Sequence, residues 1–124
     1  MARILAIDDE ENILRLLKIM LTDAGHEVVT AMDGQAGLKC MAANKFDLVI
    51  TDIVMPVTEG IETIQYLRRI TATLPILAIS GGGRFGNLDM LQAAKKLGAT
   101  ATLPKPFLKD DLLQIVGDLL QTPG

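Results

Sequence analysis

Five short apolar runs alternate with five stretches of helical spacing, and that alternation leaves the chain very few architectures. The runs cover roughly residues 3–8, 27–31, 47–52, 75–80 and 100–104, and strands of that length separated by helices predict a doubly wound α/β fold with a parallel sheet. Strands one, three and four are almost continuously apolar, as strands covered by helices on both faces are. Strand five, Ala-Thr-Ala-Thr-Leu, alternates and so reads as an edge. Between the strands, Ile13, Leu16, Leu17, Met20 and Leu21 form one helical stripe, closed by Gly25 in a C′ position. Leu38, Met41 and Ala42 form a weaker second stripe after Asp33-Gly34, and Ile61, Ile64, Leu67 and Ile70 a third. Leu88, Leu91, Ala94 and Leu97 give the fourth, ended by Gly98. Leu112, Ile115, Val116 and Leu119 give the last, with Asp110 and Asp111 in its first turn, where the helix dipole favours acids. Nothing is left over for a second unit, so residues 1–124 are expected to form one domain.

Composition narrows the function classes. Although 49% of residues are hydrophobic, no apolar run approaches the ~20 residues of a membrane span. Met1 leads straight into a strand without the layout of a signal peptide. The single cysteine, Cys40, excludes an internal disulfide and fits a reducing compartment. A formal charge of -3 argues against a nucleic-acid partner bound through its phosphates, and with no Trp and one Tyr the usual stacking surfaces are missing. The expectation is a soluble cytoplasmic domain.

The chemistry-bearing residues are distributed in an informative way. The acid pair Asp8-Asp9, Asp52, Ser80 and Lys105 each follow or close a different apolar run. In an open parallel sheet, ligands gather outside the carboxyl ends of the strands, where the strand order switches. Singly, each residue has a bland explanation. A strand-end Asp is usually a turn former, acids at a helix start are usually solvated, and a loop serine or lysine is ordinary. Together, three carboxylates, a hydroxyl and an ammonium at four strand ends resemble a cation site beside an anion site. Asp52 is placed to act as a nucleophile. An incoming phosphoryl dianion would be repelled by this cluster unless a divalent cation neutralised it. Mg²⁺ suits such hard oxygen ligands.

At these residues the chain resembles the receiver domain of two-component response regulators over essentially its whole length. The motifs are Ile7-Asp8-Asp9-Glu10, Thr51-Asp52-Ile53-Val54-Met55-Pro56 with Gly60, Ile79-Ser80-Gly81, and Leu103-Pro104-Lys105-Pro106-Phe107. The resemblance implies a flavodoxin-like sheet of order 2-1-3-4-5 with five helices, and a cis Lys105-Pro106 bond. It further implies that Asp52 accepts a phosphoryl group from a histidine kinase or histidine phosphotransfer protein. Asp9, Asp52 and the backbone carbonyl of Val54 would ligate Mg²⁺, Asp8 would act largely through water, and Ser80 and Lys105 would hold phosphoryl oxygens. The protein is then a signalling switch with intrinsic phosphoryl uptake and release. Its downstream protein partner would dock on the face of the fourth helix, fifth strand and fifth helix. Two alternatives stand beside this one: a phosphorelay intermediate or phosphate sink, and an interaction module independent of phosphorylation.

Two departures from the family pattern stand out. The position three before Lys105, aromatic in the family's switch, is Thr102. The segment Gly81-Gly82-Gly83-Arg84-Phe85-Gly86 is longer than usual and is expected to be ordered on phosphorylation. It also spells G-x-G-x-x-G, but after the fourth strand and with Pro106 where an acid should follow, so dinucleotide binding is not expected. His26 reads as a surface loop residue and Cys40 as a packing residue. Met20, Met41 and Met90 read as core, and Arg68-Arg69 and Lys95-Lys96 as solvated helix faces.

Overall fold

The apolar runs pair into one parallel sheet of order β2-β1-β3-β4-β5. Its strands are β1 (Arg3–Ile7), β2 (Glu27–Ala31), β3 (Leu48–Asp52), β4 (Ile76–Ser80) and β5 (Ala101–Pro104). This computed structural model describes residues 2–53, 59–80, 95–96 and 98–121. Four helices lie among the described residues: α1 (Glu11–Asp23), α2 (Gly34–Ala43), α3 (Glu59–Ile70) and the C-terminal helix α4 (Lys109–Gln121). Of the fourth predicted helix, Lys95 and Lys96 are described, helical and exposed; Leu88, Leu91, Ala94 and Leu97, with Met90, lie outside the described residues. So does the glycine-rich segment 81–86.

The two-residue period of the central strands sorts their side chains onto two helical layers. Ile4 and Ala6 of β1, Leu48 and Ile50 of β3, and Leu77 and Ile79 of β4 face a core completed by Leu14, Leu17 and Leu21 of α1 and Leu112, Val116 and Leu119 of α4. Their alternates Leu5, Ile7, Val49, Ile76 and Ala78 face a second core with Ile64 and Leu67 of α3 and the partly buried Leu38 and Met41 of α2. Coverage on both faces explains the continuous hydrophobicity of β1, β3 and β4. β5, at the edge, is only partly buried as its alternation predicts, and Thr102 is half-buried there.

The helical stripes need correcting at their margins. In α1 the buried line is Leu14, Leu17 and Leu21, and Leu16 is exposed. Leu14 and Leu21 lie three before and four after Leu17, on one face, whereas Leu16 lies about 100° around the axis from it. Ala42 and Ile70 are exposed as well, near the C-terminal ends of α2 and α3. α2 packs closely at its glycines: Gly34 and Gly37 are buried, and a Cβ on Gly37 would run into the Ile7 side chain at Cδ1 and Cγ1. Its N-terminus is capped by Asp33, whose carboxylate accepts from the Ala36 N–H at 2.7 Å. Cys40 packs at the margin of this second core.

α1 ends as its Gly25 foretells. Gly25 has φ 96°, and the Gly25 and His26 N–H groups donate to Thr22 and Leu21 carbonyls, both at 3.0 Å, a Schellman pairing. His26 is half-buried rather than a plain surface residue, because its Nδ1 accepts from the Ala2 N–H at 3.2 Å. Arg68 also departs from the solvated reading. Its guanidinium donates to the Gly98 carbonyl at 2.8 Å and the Thr100 hydroxyl at 3.1 Å, tying α3 to the start of β5. Arg69 remains exposed, 5.8 Å from the centre of the Tyr66 ring.

The close approach at Gly37 predicts that Gly37→Ala overpacks the second core and lowers the unfolding free energy by about 1–3 kcal/mol. Urea unfolding should show that loss, and should show less of it in an Ile7→Val background, where the nearest methyl is gone.

Candidate functional site

The sheet order fixes where chemistry collects. From β1 the chain crosses to β2 on one side and returns to β3 on the other, so the switch point lies between the carboxyl ends of β1 and β3. Asp8 follows β1, with its N–H donating to the Ala31 carbonyl at 3.1 Å, and Asp52 closes β3. Both are buried, at 0% and 2% exposure. β4 pairs with both neighbours in register, setting Ile79 beside Asp52 and Ser80 beside Pro104. Lys105 therefore leaves the edge strand directly toward the switch point, through a cis Lys105-Pro106 bond.

The Lys105 ammonium closes the cluster. Its Nζ donates to Asp8 Oδ2 at 2.9 Å, Glu10 Oε1 at 3.2 Å and Asp52 Oδ2 at 3.3 Å. The lysine side chain is 8% exposed. Asp8 uses its other oxygen to accept the Glu10 N–H at 2.8 Å, which turns the chain from β1 into α1. Carboxylate oxygens of Asp8, Asp9, Glu10 and Asp52 all lie within 4.8 Å of one another, with Asp9 and Glu10 on the solvent side. Among the described residues, four carboxylates face one ammonium, so this set is under-neutralised. Oxygen donors this close, on hard anionic groups, match the ligand chemistry of a divalent cation such as Mg²⁺.

Burial and the neighbouring charges perturb the ionisation of Asp8 and Lys105. Burial pushes Asp8 up from 3.8 to about 6, against the Lys105 and Glu10 hydrogen bonds that lower it, and the Asp52 charge adds to the rise. Burial works against the Lys105 charge, but the bond to Asp8 and the Asp52 charge outweigh it, so the ammonium is held above its ordinary range. Lys105 stays cationic, and Asp8 is mostly ionised near neutral pH although it holds its proton more tightly than a free carboxyl.

Asp8, Asp9, Asp52 and Lys105, proposed from sequence alone, are brought together. Ser80 is at its expected strand end, with its side chain outside what is described, and Val54 lies outside the described residues. Glu10 was not singled out. Its signal was present in the run Asp8-Asp9-Glu10-Glu11, but acids at a helix start are ordinarily solvated. No helix among the described residues is long and apolar enough to cross a membrane.

The raised Asp8 pKa has a definite sign. A carboxyl that binds its proton more tightly when folded opposes folding as it ionises, so its contribution is lost as pH rises from about 4 through about 6. In metal-free buffer, Asp8→Asn should therefore gain on the parent across that window. The gain should be roughly 2 kcal/mol, below the full shift because the cluster opens to water at Asp9 and Glu10. Denaturant unfolding of both proteins at pH 4 and pH 7 measures it.

Residues 4–117 match the response regulator receiver domain family. The chain is 32% identical over 120 residues to the transcriptional regulatory protein GlrR of Escherichia coli, covering 97% of this chain and 26% of GlrR. It is 33% identical over 122 residues to the transcriptional regulatory protein PrrA of Mycobacterium tuberculosis, covering 98% of this chain and 51% of PrrA. It thus spans a quarter to a half of the length of these relatives. Among solved structures, a receiver domain protein from Clostridium thermocellum superimposes with a TM-score of 0.87 at 34% identity, covering 97% of this chain and 94% of that one. The chemotaxis response regulator CheY4 of Vibrio cholerae gives 0.84 at 35% identity, covering 96% and 98%. With the sheet order and the acidic cluster at its switch point, these matches establish that the chain belongs to the receiver domains of two-component response regulators.

Proposed function

We propose that Asp52 is a phosphoacceptor, taking a phosphoryl group from a phosphohistidine on a histidine kinase or histidine phosphotransfer protein. The observation that carries this reading is the convergence of Asp8, Glu10 and Asp52 on the Lys105 ammonium, beside the exposed Asp9. An Asp52 carboxylate oxygen attacks phosphorus, the bond from phosphorus to the donor imidazole nitrogen breaks, and an acyl phosphate forms on Asp52. The electron pair of the broken bond stays on the imidazole, which takes up a proton. Asp8, Asp9 and Asp52, with the Val54 carbonyl, would hold Mg²⁺, which supplies charge neutralisation for in-line transfer when bound. Lys105, kept cationic by its carboxylate neighbours, donates to a phosphoryl oxygen, and Ser80 donates to another.

Phosphorylation then changes the charge of the switch point and biases the chain toward a protein partner. The partner would dock on the face of β5, α4 and the fourth predicted helix, most of which lies outside the described residues. Because Thr102 lacks a ring to rotate inward, the signal is routed through Ser80 and the residues after it. One unit, residues 1–124, performs this role as a cytoplasmic switch.

Incubation with a small phosphodonor and Mg²⁺ should add one phosphoryl group to the parent by intact mass and none to Asp52→Asn. A chelator should abolish uptake by the parent. Equal uptake by Asp52→Asn would overturn the assignment.

A further inference from the structure

Lys105 has three N–H donors and finds three carboxylate acceptors, so an arriving phosphoryl oxygen must displace one of them. The three are not equivalent. Asp8 is fully buried and also accepts the Glu10 N–H, so withdrawing it would strand a buried charge. Asp52 is the reacting group. The Glu10 side chain is 61% exposed and can swing into water at little cost. Glu10 is also the N-cap residue of α1, yet its carboxylate makes no capping bond to its own helix and reaches Lys105 instead. Its backbone is held in place by the bond from its N–H to Asp8.

We propose that Glu10 is a positioning residue whose carboxylate occupies one Lys105 donor in the resting site and is displaced when an anion binds beside Asp52. The inference rests on the phosphoacceptor reading and goes further by naming the competing group. Glu10 keeps the ammonium aimed between Asp8 and Asp52 before phosphoryl arrival. The cost is a competition that weakens anion binding. Because exposed ion pairs contribute little singly, its removal should tighten anion binding by about twofold to fivefold.

The test is a beryllofluoride titration at saturating Mg²⁺, followed by amide NMR, in the parent, Glu10→Gln and Glu10→Asp. Glu10→Gln should bind about twofold to fivefold more tightly. Glu10→Asp, which keeps the charge but shortens the arm by one methylene, should shift the same way by less. In metal-free protein, the Lys105 ammonium protons should exchange with water faster in Glu10→Gln than in the parent. Unchanged or weaker binding in Glu10→Gln overturns the proposal, as does unchanged ammonium exchange. A tighter Glu10→Gln beside a parent-like Glu10→Asp also overturns it, by tracing the effect to charge alone. Failure of the parent to bind beryllofluoride overturns the phosphoacceptor reading, and this one with it.

Discussion

One nearly buried ammonium holds the functional end of this molecule together. Lys105 reaches Asp8 across 97 residues of sequence and Asp52 across 53, and it is 2.9 Å and 3.3 Å from their carboxylates. Two carboxylates buried at adjacent strand ends repel each other and are cut off from solvent. Without a counter-ion beside them at least one would remain protonated. Lys105 offsets part of both costs, and Asp8 still rises to about 6, chiefly through burial and in smaller part through the Asp52 charge. The negative charge left over suits a divalent cation, and in the proposed function such a cation would let the cluster accept a phosphoryl dianion.

The rest of the fold keeps that encounter in register. Asp8 and Asp52 stand side by side because β1 and β3 are hydrogen-bonded neighbours, with Ile7 paired to Thr51. Those strands are held by helices on both faces, through alternating side chains that divide into two cores. β5, which delivers Lys105, has a strand on one side only, and Arg68 secures its approach by bonding the Gly98 carbonyl and the Thr100 hydroxyl. Gly98 accommodates this with φ 130° and no Cβ where the Arg68 stem passes. Lys109 adds a surface tie from the start of α4 to Asp23 at 2.9 Å, worth little alone because both ends are solvated.

Much of this was legible in the sequence, for identifiable reasons. Continuous apolar runs such as Ile4 to Ile7 have one interpretation between helical stretches, and the polar residue after each marks the functional rim. Asp8, Asp9, Asp52 and Lys105 were found that way because strand ends are sharply punctuated. What escaped depends on rotation and reach rather than on pattern. The face of α1 is set by Leu14 as much as by Leu17, and a period of 3.6 leaves the choice between Leu14 and Leu16 to the packing partner. α2 approaches the sheet through Gly34 and Gly37, residues with no hydrophobic signal at all. Arg68 and Glu10 look like ordinary solvated charges until a backbone carbonyl and an ammonium far away in sequence come within reach of them.

An under-neutralised carboxylate cluster should be completed by a divalent cation. Thermal unfolding of the parent and of Asp52→Asn across a Mg²⁺ titration tests that most directly. A cation binding only the folded cluster raises stability by about 2.7 kcal/mol at a hundredfold excess over its dissociation constant. The melting temperature of the parent should climb with Mg²⁺ on that logarithmic course, and that of Asp52→Asn should climb far less. A parent melting temperature indifferent to Mg²⁺, or a rise of equal size in both proteins, would contradict the account.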